Sequence, residues 1–149
     1  NQSESPEEVE VVVELVSRAL DGGCTWVDAN GVERPLRLED ILVVAPYNAQ
    51  VAALAASLPD GARVGTVDRF QGQEAPVVIY SMTSSSAEDA PRGMRFLYSP
   101  NRLNVATSRA RCLAIVVASP RVFVPDCRTP EQMRLANAFC RFQELASGW

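Results

Sequence analysis

The sequence predicts an α/β layered domain with a mainly parallel central sheet, and three observations predict it. Residues 41–45 (ILVVA) form a short apolar run without alternation, the pattern of a strand buried on both faces. Further strand-like runs recur at 63–67, 77–82 and 113–118. Helical patterns fall between and after them, at 48–58, 100–108 and 130–145, and strands that alternate with helices pair in parallel.

Taken in order, residues 1–5 read as a frayed start. From Pro6, the residues Val9, Val12, Val13, Leu15, Val16, Ala19 and Leu20 give an apolar stripe at helical spacing. Ser5 suits the N-cap, Pro6 the first turn, and Glu7 and Glu8 the positive end of the helix dipole. Gly22-Gly23 ends this helix, whose acids are expected on its solvated side. Residues 24–35 carry two short strand patterns around Asn30-Gly31, a hairpin insert set apart from the main sheet. Pro46 stops the run at 41–45. The Ala-rich helix at 48–58 is expected to turn Val51, Leu54 and Ala55 inward, and Pro59-Asp60-Gly61 is a turn. The Ser-rich stretch 83–90 reads as a loop, and the helix at 130–145 as a cover for the sheet.

A chain of 149 residues fits a single domain that buries roughly 70% of its unfolded surface. No apolar run approaches the ~20 residues that span a bilayer, and the acidic N-terminus does not fit a secretory signal. A cytoplasmic protein without membrane partners is the expectation. The net charge of −4 hides an asymmetry: residues 1–40 hold ten acids and three arginines, residues 41–149 eight acids and eleven arginines. Every basic residue is Arg, the side chain that grips phosphate bidentately, although a GC-rich genome is the first explanation of the bias. Cys24, Cys112, Cys127 and Cys140 form no closely spaced pair and the chain has no His. No metal site and no Ser-His-Asp or Cys-His nucleophile is therefore expected, and the cysteines read as reduced, mostly buried thiols.

In parallel sheets, ligands sit beyond the carboxyl ends of the strands. Three polar segments are assigned there: Pro46-Tyr47-Asn48-Ala49-Gln50, Asp68-Arg69-Phe70-Gln71-Gly72-Gln73-Glu74, and the stretch 101–111. A self-sufficient nucleotide site would also need a glycine-rich phosphate loop with Lys, and the chain has neither.

ILVVAPYNAQ, VGTVDRFQGQE and NRLNVATSRAR resemble, in that order and spacing, motifs IV, V and VI of the second RecA-like motor domain of superfamily-one helicases. The similarity is to the branch with Upf-type and RecD-like enzymes and covers about residues 38–120. Motifs V and VI together are specific; the PYNAQ element alone is weak. The resemblance implies a three-layer RecA-like fold, with the hairpin at 24–35 as an insert. It implies that Arg109 is the arginine finger that reaches the γ-phosphate of ATP on a partner motor domain. Glu74 then contacts the ribose, Gly72 lets backbone approach the phosphates, and Gln71 and Arg111 support the same cleft. Pro46, Tyr47, Asn48 and Thr66 fall where the family touches single-stranded DNA or RNA; Arg92, Arg95 and Arg102 read first as a solvated Arg-rich loop and second as an extension of the charged track.

Each residue also has a plainer reading: Arg109 in a surface salt bridge, Gly72 in a turn, Glu74 and Arg111 as solvated charges, Tyr47 at the core edge, Asn48 as a helix cap. Asp68 is read equally as a further support of the nucleotide cleft or as an Asx turn that orients the loop. The first RecA-like domain, with the phosphate loop and the acids that hold Mg2+, is not in this sequence. ATP with Mg2+ would be bound mainly by that N-terminal partner domain. The chain alone is expected to be inactive, a piece of a helicase whose wider bacterial relatives sometimes carry a RecB-like nuclease domain upstream. A non-catalytic RecA-like module that binds nucleic acid or protein is the alternative, and an unrelated phosphate-binding α/β enzyme a further one.

Overall fold

The computed structural model describes residues 4–70, 72–83 and 108–118. The helices expected at 100–108 and 130–145 lie outside that set, apart from Ser108, as do Gln71, Arg92, Arg95, Arg102, Cys127 and Cys140.

Helix α1 spans Pro6–Asp21. The Ser5 hydroxyl accepts from the Glu8 amide at 3.4 Å and satisfies one of the orphan donors of the first turn. At the other end the Gly22 amide donates to the Arg18 carbonyl at 2.8 Å. Val9, Val12 and Val16 form the buried stripe. Strands β1 (Thr25–Val27) and β2 (Glu33–Pro35) pair antiparallel as a separate hairpin. Asp28 builds its turn, accepting the amides of Asn30 and Val32 at 2.9 and 3.0 Å and the Arg34 guanidinium at 2.6 Å.

The main sheet contains β3 (Ile41–Val44), β4 (Arg63–Gly65), β5 (Ala75–Ser81) and β6 (Ala110–Val117), in the order β4-β3-β5-β6 with every pairing parallel. β3 is central and buried at all four positions, as its unbroken apolar run requires. Ile41, Val43 and Ala45 join Val9, Val12 and Val16 of α1, Leu54 and Leu58, Val64 and Ile79 in one core cluster. Leu42 and Val44 point to the opposite face by strand alternation and are buried too. Burying each such side chain stabilises the fold by roughly 1.5–3 kcal/mol. This is the α/β RecA-like layering that the sequence predicts.

Four expectations change. The strand expected at 63–67 ends at Gly65, because Val67–Phe70 turns into a 3-10 helix that buries Val67 and Phe70. Gly65 permits that return: a Cβ there would sit 2.6 Å from the Arg69 side chain and 3.2 Å from the Phe70 ring. Helix α2 (Asn48–Ser57) buries Gln50 and Leu54, whereas Ala55 is exposed. The run of alanines gives the helix little amphipathic preference, so the large side chains Leu54 and Leu58 set its rotation. Cys24 and Cys112 are exposed free thiols, not buried ones. Finally, the acids of α1 are not all solvated: Glu8 is buried.

Candidate functional site

Parallel pairing sorts the candidate residues onto two opposite edges of the sheet. Residues that follow β3 and β4 stand at the carboxyl edge, and residues that precede β5 and β6 stand at the amino edge. The sequence places the stretch 101–111 and Glu74, the end of the second polar segment, at the carboxyl edge, and both are corrected. Arg109 and Arg111 flank the first residue of β6, Ala110, and so belong to the amino edge, together with Glu74, which directly precedes β5.

At the amino edge the sheet ladder itself brings these residues together. The Ala75 amide donates to the Arg109 carbonyl at 2.9 Å, and Ala75 is in register with Ala110. Arg111 Nε donates to Glu74 Oε2 at 3.1 Å, with 52% of each side chain still exposed. Arg109 is half-buried, and its Nε is shielded from solvent without a hydrogen-bond partner among the described residues. A guanidinium placed so keeps its Nε donor unused and has no ion pair among the described residues, which suits an anionic oxygen arriving from outside. Gly72 adopts φ +81°, the left-handed region where an alanine would be strained, and turns the chain from the 3-10 helix toward Glu74. The turn is braced by Arg63, which donates to the Glu39 carbonyl at 3.1 Å and to Gln73 Oε1 at 2.5 Å. Gln71 lies outside the described residues.

At the carboxyl edge, Pro46 and Tyr47 are buried, Thr66 is half-buried and Asn48 is exposed. Tyr47, with extended backbone, takes the N-cap position, so Asn48 is the first helical residue rather than the cap. Asp68 is exposed and forms no Asx turn among the described residues.

Behind this edge lies a buried polar network that sequence reasoning missed. Ser81 Oγ donates to Glu8 Oε1 at 2.6 Å, and the Thr83 amide donates to the same oxygen at 2.9 Å. Gln50 Nε2 donates to Ser81 Oγ at 3.2 Å and to the Ser5 carbonyl at 3.3 Å, while its Oε1 accepts the Ser5 amide at 2.8 Å. Ser5, read as part of a frayed start, is thus pinned to α2. Burial pushes the Glu8 carboxyl up to about 7, against the bonds from Ser81 and Thr83 that favour its ionised form. Thr83 is held at φ +78°, rare for a β-branched residue. One signal for Glu8 was present: it stands four residues before Val12 and eight before Val16, on the buried stripe.

A parallel α/β sheet with charged groups at its amino edge and buried struts behind its carboxyl edge fits a RecA-like domain of the superfamily-one helicase type. Residues 1–121 match the family model described as AAA domain, and the chain belongs to that family. A protein of Gallus gallus that carries the name helicase MOV-10 is 32% identical over 162 residues, covering 95% of this chain. RNA helicase Mov10l1 of Homo sapiens is 35% identical over 105 residues and covers 66% of it. DNA replication ATP-dependent helicase/nuclease JHS1 of Arabidopsis thaliana is 27% identical over 138 residues and covers 92%. The chain spans 15%, 9% and 9% of the length of these three eukaryotic relatives.

Proposed function

We propose that this chain is the second motor domain of an ATP-dependent helicase of the Upf-type and RecD-like branch, which works only beside a first motor domain. The observation that carries the reading is the convergence of Glu74, Arg109 and Arg111 at the amino edge of β5 and β6, with Arg109 Nε shielded and without a partner among the described residues. MgATP, held mainly by the first domain, supplies the phosphoryl group whose hydrolysis powers movement. Arg109 reaches across to stabilise negative charge on the γ-phosphoryl oxygens, a task for which guanidinium gives about 10³–10⁵ in rate in comparable systems. Glu74 orients the ribose, Arg111 holds Glu74 in place, and Gly72, aided by Gln71, shapes the backbone beside the phosphates.

The opposite edge carries the second half of the function. Asn48 and Thr66 offer polar groups at strand ends, on a backbone fixed by buried Pro46 and Tyr47, which suits contacts to phosphate and sugar without base readout. Single-stranded DNA or RNA is the partner. The name of the Arabidopsis relative, which joins helicase and nuclease, supports a fused nuclease domain in the parent. The cytoplasm is the proposed location.

The test is a pair of ATPase measurements. The purified 149-residue chain should show negligible Mg-dependent turnover, with nucleic-acid-stimulated turnover appearing only when it is joined to its first motor domain. In that joined protein, Arg109→Ala should lower kcat by about 10³-fold or more while nucleotide affinity changes little. Turnover by the chain alone, or survival of turnover in the variant, would sink the assignment.

A further inference from the structure

We infer that Glu8 is the positioning residue of the carboxyl edge, and that its ionised form sets the backbone that grips a single strand. The link to grip rests on the nucleic-acid reading of that edge given above.

Two elements meet at one carboxylate oxygen and a third is tied to it through a relay. Glu8 comes from α1, Ser81 and Thr83 from the end of β5, and Gln50 from the first turn of α2 joins through Ser81. The Ser81 hydroxyl has one proton, and giving it to Glu8 leaves its lone pairs for Gln50 Nε2. Gln50 stands three residues after Tyr47, and β5 lies beside β3 with Val44 in register with Tyr80. The carboxylate therefore holds the exit of β5 directly and the start of α2 through one relay.

The device has a strained member. Thr83, at φ +78°, occupies a region that costs a β-branched residue free energy, and its amide is held there by Glu8 Oε1. Bonds to an ionised carboxylate are roughly twice as strong as bonds between neutral groups. When a proton from solvent enters the Glu8 carboxyl, both bonds weaken, Ser81 is free to turn its hydroxyl, and Thr83 loses the group that holds its backbone. Among the described residues few charges oppose or assist this. Glu7, on the same helix, disfavours ionisation, while α2 presents Gln50 and β5 presents Ser81, Met82 and Thr83, none of which titrates near neutrality. Burial places the midpoint at about 7, so both forms are populated under ordinary conditions.

Two measurements on the 149-residue chain test the inference. In 15N-resolved NMR, the amides of Thr83, Gln50 and Tyr47 should titrate together with a midpoint near 7, and should stop doing so in Glu8→Gln. In Ser81→Ala, the Thr83 amide should still titrate while those of Gln50 and Tyr47 no longer do. Affinity for fluorescent oligothymidylate or oligouridylate should fall about fivefold from pH 8 to pH 6 in wild type relative to Glu8→Gln, roughly the difference between a charge-assisted hydrogen bond and a neutral one. Amides that do not titrate, or that titrate alike in Glu8→Gln, overturn the positioning role, and so does a Ser81→Ala chain in which all three still move. Titrating amides with pH-independent affinity overturn the link to grip. Titrating amides without oligonucleotide binding at any pH overturn that link too, and in that case remove the nucleic-acid reading with it.

Discussion

At the amino edge, Glu74 and Arg111 meet at 3.1 Å with about half of each side chain in solvent. At the carboxyl edge, Glu8 lies 6% exposed beneath Ser81 and Thr83, and Gln50 is fully buried. The first arrangement contributes little to folding, since exposed ion pairs are worth at most about 1 kcal/mol, and its partners are free to exchange each other for a ligand. The second is costly to disturb, because removing one member leaves buried donors and acceptors without partners. One edge therefore offers groups that reach outward, and the other holds a backbone still.

Substitutions that separate folding from activity break or sharpen this contrast. The largest effect on folding is expected from Gln50→Ala, which removes three hydrogen bonds at a fully buried position. It should lower stability by about 3 kcal/mol and Tm by roughly 10 °C, read by thermal unfolding.

Next comes the pH dependence set by Glu8. Its carboxyl is raised from 4.5 to about 7 in the folded state, so the folded chain binds the proton more tightly than the unfolded one. The contribution is favourable below about 4.5 and is lost as pH rises to about 7, a fall of about 3 kcal/mol at most. Urea unfolding across pH 4.5–8 should show this decline in wild type and a flatter profile in Glu8→Gln; identical profiles would remove the contrast.

A smaller change follows at Gly72. Alanine there must adopt φ +81°, at a cost of about 1–2 kcal/mol, and denaturant midpoints should show it. Glu74→Ala and Arg111→Ala should shift stability least, by under about 1 kcal/mol, yet impair nucleotide turnover in the joined protein. A large loss of stability in either would place the pair among the structural struts.

Several parts of this arrangement were legible in the residue order. β3 declared itself by four consecutive apolar residues, because only a strand covered on both faces tolerates them. Helix α1 was marked by Ser5, Pro6 and the Val9, Val12, Val16 spacing, and each sits where local capping and periodicity require. The hairpin followed from Asn30-Gly31, with Asp28 in support. These features depend on neighbours in the chain.

What tertiary structure decided was of another kind. Parallel direction was expected, but which residues meet at the amino edge depends on register, and Ala75 opposite Ala110 sets Arg109 and Arg111 beside Glu74. The rotation of α2 that turned Gln50 inward and Ala55 outward came from Leu54 and Leu58 meeting the core, since alanines alone fix no face. Glu8 shares its first turn with the exposed Glu7, yet one is buried because Ser81 and Thr83, 73 and 75 residues away, converge on it. The chain by itself determined its strands, its caps and the residue types offered to phosphate. Packing alone decided which of its charges face water, because burial and partnership are set by groups distant in sequence.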